Sequence, residues 1–425
     1  MRKKIVMFGI ALLLASGVIG CSRGAAAVTT DIAITTEHFP DEVFREYLYN
    51  EFDTNKNHIL EESEILAIHE IVLDNVDIES FRGIGLLSNL ESLKISYGIA
   101  QSLDVSDCKA LRIVNLKSLP ITELNVNGCE KLEELYCYYG YLSSLDVSEC
   151  RKLKRLSCEA NYLAELNVRG CYRLEYLDCS NNSLNSLNVS GCDQLKHLKC
   201  EFNQLESIDK SGCLLLEELD CCSNRLTELS VSNNTKLRRL DCSFNDLNSL
   251  DTGHSSALQE LWCSENHITH LDLRRSCLLS YLECSNNPMP DLDLSWNTNL
   301  TQLSCDSTGL EKLDLRRNTK LRSLSCMNNI LSELNLRENG ELEALYCSGN
   351  RLRQLDLSQN RKLKTVVCTS NDLTELDLTN LLLGLQVEVD QNVSVIGAQE
   401  NYINVDYRPK TSDFEHDYEF DHEYE

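Results

Sequence analysis

The apolar positions of this chain recur at one fixed interval. From Leu90 to Leu363 a leucine stands every 21 residues, fourteen times in succession, and the series fails only at Gly384. Three residues after each comes a Leu or Val, and two further on lies a column that opens with Ile95 and Leu116, continues as cysteine and ends at Val389. Five residues after that column, from Ile121 to Leu373, Leu or Ile returns with Met289 as one variant, and eight after it, from Leu103 to Leu376, Leu or Ile returns again. No insertion or deletion disturbs the register across fifteen units. Apolar and polar residues alternate around the column, which predicts a short strand, whereas LDVS and LDLS carry no helical periodicity. One such unit cannot bury its own leucines; stacked units bury each other's, so the pattern predicts a parallel β-solenoid of about fifteen coils.

Written out, the unit is LxxLxCxxNxLxxLDLSxNxx, with Asn at Asn161, Asn182, Asn203, Asn224 and Asn245. Its LxxLxCxxNxL portion resembles the leucine-rich-repeat consensus, with cysteine in place of the third leucine. The resemblance covers residues 71–400 in our division of the chain and implies a leucine-rich-repeat solenoid with a short extended convex side and an inward-facing Asn column. Repeats of 21 residues with a cysteine column are similar to those of the internalins of bacterial surfaces.

The cysteine column holds Cys137, Cys158, Cys179, Cys200, Cys221, Cys242, Cys263, Cys284, Cys305, Cys326, Cys347 and Cys368. A disulfide scaffold is the usual reading of a cysteine-rich exported chain. Here the register opposes it, because rungs on neighbouring strands hold their Cβ atoms about 4.8 Å apart, beyond the reach of a relaxed disulfide. These cysteines are expected to be reduced, buried and packed as small apolar residues. A second series, Cys108, Cys129, Cys150, Cys171, Cys192 and Cys213, lies thirteen residues after the column and passes into Asn234, Ser255, Ser276 and Asn297. What these residues share is a short side chain able to donate a hydrogen bond, so the position reads as a turn requirement. Neither column shows the CxxC or His spacing of a metal site. Cys222, one residue past the column, is expected to point outward as an exposed thiol.

Nine residues after the column stands Asp in nine coils, among them Asp104, Asp146, Asp272 and Asp314, while Asn125, Asn167, Asn188 and Asn335 fill the position in others. The two share an acceptor and not a charge, so capping of a turn is favoured over a cation-binding strip. Residues 38–70 break the register and predict a helical cap. Between its two helices, DTNKNHILEESE resembles an EF-hand loop, with Asp53, Asn55, Asn57, Glu61 and Glu64 as the implied calcium ligands. His58 departs from that family, which has Gly for a positive-φ turn. The alternative is a lid covering the first coil's leucines.

Residues 1–20 have the basic start and apolar run of a signal peptide. Val18–Ile19–Gly20–Cys21 resembles a lipobox, implying lipidation of Cys21 and anchoring at a bacterial cell envelope; cleavage near Ala25–Ala27 is the alternative. Residues 21–37 read as a flexible tether and 401–425 as an acidic, disordered tail. A net charge of −26 opposes nucleic-acid binding.

Catalytic motifs such as GxSxG, HExxH or a P-loop are missing from the sequence, which reads as a non-enzymatic binding module. Its expected working surface is the concave strand face, three and one residues before the column and one and two after it. Tyr136, Tyr138, Tyr139, Tyr176, Phe202, Phe244, Trp262, Tyr281 and Tyr346 fall there, interleaved with charges. Exposed aromatics so flanked suit a protein ligand; a glycan is the alternative partner.

Overall fold

The computed structural model describes residues 31–381, 384–397 and 404–408. Each repeat contributes a short strand, such as Arg155–Ser157, Tyr176–Asp178 and His197–Lys199. Its central leucine is buried and pairs in parallel with the leucine one repeat on, Leu156 opposite Leu177 and Leu177 opposite Leu198. Among the described residues this pairing makes one ladder of seventeen strands, from Glu70–Asp74 to Asn404–Arg408. The fold is a leucine-rich-repeat solenoid. Its last strand pairs in register with Gln386–Asp390, so the ladder runs past residue 400, where the sequence pattern fades.

The return path is extended, as the missing helical periodicity implies. Short strands on that side, such as Ser144–Asp146 and Glu165–Asn167, pair two at a time. The turn beyond them is closed by the Asp/Asn column: Asp146 Oδ1 accepts the Ser148 N–H at 2.8 Å and Asn125 Oδ1 the Asn127 N–H at 3.1 Å. An acceptor suffices there, which is why Asp and Asn interchange.

Two side-chain columns stitch the interior. Asn161 donates through Nδ2 to the carbonyls of Cys137 and Cys158, at 2.8 and 3.1 Å, while its Oδ1 accepts the Leu142 N–H at 3.0 Å. The second column reaches the same kind of acceptor with three chemistries: Cys129 Sγ to Val105 at 3.2 Å, Ser255 Oγ to Val231 at 2.9 Å and Asn297 Nδ2 to Leu273 at 3.1 Å. Each acceptor is the carbonyl 24 residues back. A hydrogen-bond donor of short reach is the common requirement, since an unpaired buried carbonyl is costly.

Both α-helices of the described residues lie in the cap, at Glu42–Glu51 and Glu62–Ala67. Asp41 caps the first through the Phe44 N–H at 2.9 Å, and its other oxygen accepts the Glu79 N–H at 2.8 Å, tying the cap to the first coil. Phe44, fully buried, packs edge-on between Phe39 and Phe81. The chain joins the cap earlier than residue 38: Ile32–Ala33 pairs antiparallel with Ile59–Leu60, and Ile34 is buried, so the tether expected over 21–37 does not extend through these residues. Among the described residues no helix is long and apolar enough to cross a membrane.

Candidate binding face of the solenoid

Residues flanking each central leucine point away from the interior, because strand side chains alternate between faces. Tyr136, Tyr138, Tyr176, Trp262, Tyr281 and Tyr346 stand there half-buried. They cluster in pairs with neighbouring rungs. Trp262 and Tyr281 have ring centroids 4.8 Å apart, and the guanidinium of Arg239 lies 5.4 Å from the Trp262 centroid. Arg155 sits 4.8 Å over Tyr176, whose hydroxyl donates to Asp178 at 3.2 Å. Burial pushes the Tyr176 hydroxyl well above its ordinary pKa, with the Asp178 charge adding to it.

Tyr139, Phe202 and Phe244 differ from the expectation that placed them on the strand. All three have left-handed backbone, with φ of 56°, 52° and 54°, in the turn that leaves the ladder. The conformation is imposed: the Phe244 N–H donates to the Ser264 carbonyl at 2.9 Å and the Phe202 N–H to Cys222 at 3.1 Å, continuing the inter-coil hydrogen bonds. Elsewhere the same position holds Asn181, Asn286, Asn328 and Gly349, which tolerate positive φ, and small or polar residues such as Ser118, Ala160, Ser223, Glu265, Ser307 and Ser370, with Tyr97 a fourth aromatic. Tyr139, Phe202 and Phe244 are also exposed, at 61%, 55% and 58%. Strand propensity therefore does not account for these three aromatics. The sequence reading missed a further pair, Tyr141 and Tyr162, exposed and stacked at 5.9 Å with rings 7° apart, although their shared spacing of 21 was there to be found.

A lane of acids runs beside the aromatics. Burial, then the neighbouring Asp220 charge, pushes the Glu201 carboxyl up to about 7 and that of Asp241 up to about 6. Burial also takes Asp306 up to about 6, against hydrogen bonds from Ser325 and Met327 that lower it. Asp220 is raised for the same leading reason, and Glu159 with it. At neutral pH this lane is a strip of acids, mostly ionised, with Glu201 near the middle of its titration. A different order prevails four residues before the column, where charges alternate in sign: Arg112 meets Glu133 at 2.9 Å, Lys154 meets Glu133 at 2.7 Å and Lys196 meets Glu175 at 2.7 Å.

All twelve column cysteines are buried and free. Eight of their thiols reach the carbonyl of the following coil, as Cys221 Sγ does to Asp241 at 3.3 Å and Cys158 to Asp178 at 3.5 Å. Cys222 is half-buried among acids, correcting the expectation of an exposed thiol; among the described residues the exposed cysteine is Cys277.

In the cap, Asp53 is fully buried and its two oxygens accept the N–H groups of Asn57 at 3.2 Å and His58 at 2.8 Å. His58 adopts φ 65°, the turn expected to need Gly, with its ring stacked on Tyr49 at 4.5 Å. Asn55 and Asn57 both donate to Glu61 Oε1, at 2.9 and 2.8 Å. Glu64 Oε1 accepts the Thr54 N–H at 2.7 Å and its Oε2 the Glu61 N–H at 3.1 Å. Burial raises the Glu64 carboxyl, but these hydrogen bonds outweigh it and leave it lowered to about 2. The loop thus closes on itself by hydrogen bonds, and Asp53, Glu61 and Glu64 do not all bring oxygens within 4.8 Å of one another. Cys21 lies outside the described residues.

No protein-family model and no curated protein sequence matches the chain. Solved structures do. The functional domain of InlJ from Listeria monocytogenes, which includes a cysteine ladder, is similar over 84% of this chain and 82% of its own, with 29% identity and a TM-score of 0.72. A leucine-rich-repeat protein from Leptospira interrogans is 21% identical over 81% of this chain and 97% of its own, with a TM-score of 0.66. The internalin InlF from Listeria monocytogenes is 19% identical over 87% and 98%, with a TM-score of 0.54.

Proposed function

We propose that the protein is a non-enzymatic recognition module whose concave face binds a protein ligand, held at a bacterial cell envelope through a lipid on Cys21. The observation that carries this reading is the set Tyr139, Phe202 and Phe244: large aromatics exposed to solvent at left-handed positions where Asn or Gly recurs in other coils. An L-residue there costs stability, and a local cost without a structural return marks a functional position. The flanking acids define the ligand's chemistry further. A partly buried carboxylate strip beside aromatic rings favours a partner that presents Lys or Arg together with apolar groups. The likeness to InlJ, with its cysteine ladder, supports an extracellular recognition role.

The test is capture from surface-protein extracts by immobilised protein, compared with a Tyr139/Phe202/Phe244 triple-Asn variant. Binding that is lost in the variant and weakens with salt is expected. Saturable binding to polysaccharide, insensitive to protease treatment of the ligand source, overturns the protein partner in favour of a glycan. For the cap we propose one calcium ion held by Asp53, Asn55, Asn57, Glu61 and Glu64. The left-handed turns at Lys56 and His58, which coil the loop around the buried Asp53, support it.

A further inference from the structure

Midway along the concave face the ladder gathers hard and soft ligand atoms at one point. Asp220 and Asp241 are directly opposed on paired strands, and Cys222 follows Asp220 by two residues, on the same face. One oxygen of each carboxylate and the Cys222 sulfur lie within 4.8 Å of one another, the one such group of three among the described residues. Carboxylates placed directly opposite on neighbouring strands repel, so this pairing costs stability unless something offsets it.

The positive charges at hand offset it only in part. Arg239 favours the charged form of Asp241 but is drawn to Glu260 at 2.9 Å and to Glu218 at 3.7 Å. Lys199 favours the charged forms of Asp220 and Glu201, yet both carboxyls stay raised. Glu201 supplies an independent observation. It occupies the same position in its coil as Cys222 does in the next, and its Oε2 is shut off from solvent with no hydrogen-bond partner. A buried, unpartnered carboxylate oxygen is a rare and costly feature. A cation beside it accounts for that oxygen and for the opposed aspartates together.

We propose that Asp220, Cys222 and Asp241, with Glu201 completing the set, bind one divalent metal ion of the zinc class. The thiol decides the class. Calcium and magnesium take oxygen ligands, whereas a thiolate with carboxylates suits a borderline-soft ion. Zinc holds sulfur at about 2.3 Å and carboxylate oxygen at about 2.0–2.2 Å, which places tetrahedral ligand atoms about 3.5 Å apart. A shift of less than about 1 Å by each of Asp220, Cys222 and Asp241 closes these three from the observed spacing, and Glu201 turns in from outside it. Binding converts the Cys222 thiol to thiolate and releases its proton to solvent, so affinity rises with pH.

Cadmium titrated into the reduced full-length protein reads the site directly, through the ultraviolet charge-transfer band of a cadmium–thiolate bond. The expected result is saturation at one ion per chain, competition by zinc, and no displacement by calcium in tenfold excess. Cys222→Ser removes the band, Asp241→Asn weakens binding at least tenfold, and a Cys21→Ser/Cys277→Ser double variant retains both. A band that survives Cys222→Ser, or one indifferent to Asp220→Asn and Asp241→Asn, overturns the site. Far-ultraviolet circular dichroism identical to the parent's shows each variant folded. The outcome is independent of whether the aromatic face binds protein.

Discussion

The side-chain amide of Asn245 donates to the carbonyls of Cys221 and Cys242, at 3.0 and 3.1 Å, and its Oδ1 accepts the Leu226 N–H at 2.9 Å. One side chain thereby satisfies backbone groups of two successive coils. Asn245→Ala strands the buried Leu226 N–H, at a cost of about 1–3 kcal/mol, while Asn224 and Asn266 still donate to the Cys221 and Cys242 carbonyls. We expect a loss of about 2 kcal/mol, read as a lowered urea midpoint. Asn245→Thr should cost less, because Thr308 fills this position in its own coil, donating to the Cys305 carbonyl at 3.0 Å.

The solenoid was legible because every repeat states it again: a leucine displaced by one position would put apolar groups in water along the whole ladder. The Asn column, the donor column and the turn-capping acids were readable for the same reason, since each is set by backbone geometry common to all coils. What was not legible depends on contacts between coils that differ. The gathering of Glu201, Asp220, Cys222 and Asp241 needs two lanes of one face superposed over three coils, and no single column shows it. The left-handed turn at Phe244 was hidden because its residue type varies, although Asn181 and Gly349 at the same position were a signal.

Phe244 separates stability from recognition. Left-handed backbone costs an L-residue about 1–2 kcal/mol, and Asn tolerates it best after Gly. Phe244→Asn is expected to raise the urea midpoint by the equivalent of about 0.5–1 kcal/mol while weakening ligand capture. A variant that loses stability would show the ring to be a packing residue.

Acidification should stabilise the folded chain between pH 8 and pH 5. Glu201, Asp241 and Asp306 have folded values pushed up to about 7, 6 and 6, above their unfolded ones. Each binds its proton more tightly when folded, so stability falls as pH rises from about 4 to about 7 and is level beyond. Chemical denaturation across this range checks it. Glu201→Gln/Asp241→Asn should flatten the slope, since it removes two of these raised carboxyls.

Calcium should raise the melting transition of the parent protein at millimolar concentration and leave Asp53→Ala unmoved. Binding requires Glu64 to exchange the Thr54 hydrogen bonds for the ion, so Glu64→Gln should also abolish the shift. An unmoved parent transition would leave the cap as a lid alone.

Thiol labelling tests the difference between adjacent cysteines. Cys221 is fully buried, and burial followed by the charges of Asp220 and Asp241 holds its thiol well above the ordinary pKa; Cys222, half-buried, is held up by the same three influences. Since the thiolate is the reactive form, access and charge act in the same direction. In the folded protein a bulky maleimide should modify Cys277 first, Cys222 much more slowly, and Cys221 only on unfolding. Cadmium at one equivalent should slow Cys222 further and leave Cys277 unaffected. Labelling of Cys221 at the rate of Cys222 would contradict the packed ladder, because its sulfur is reached only by parting neighbouring coils.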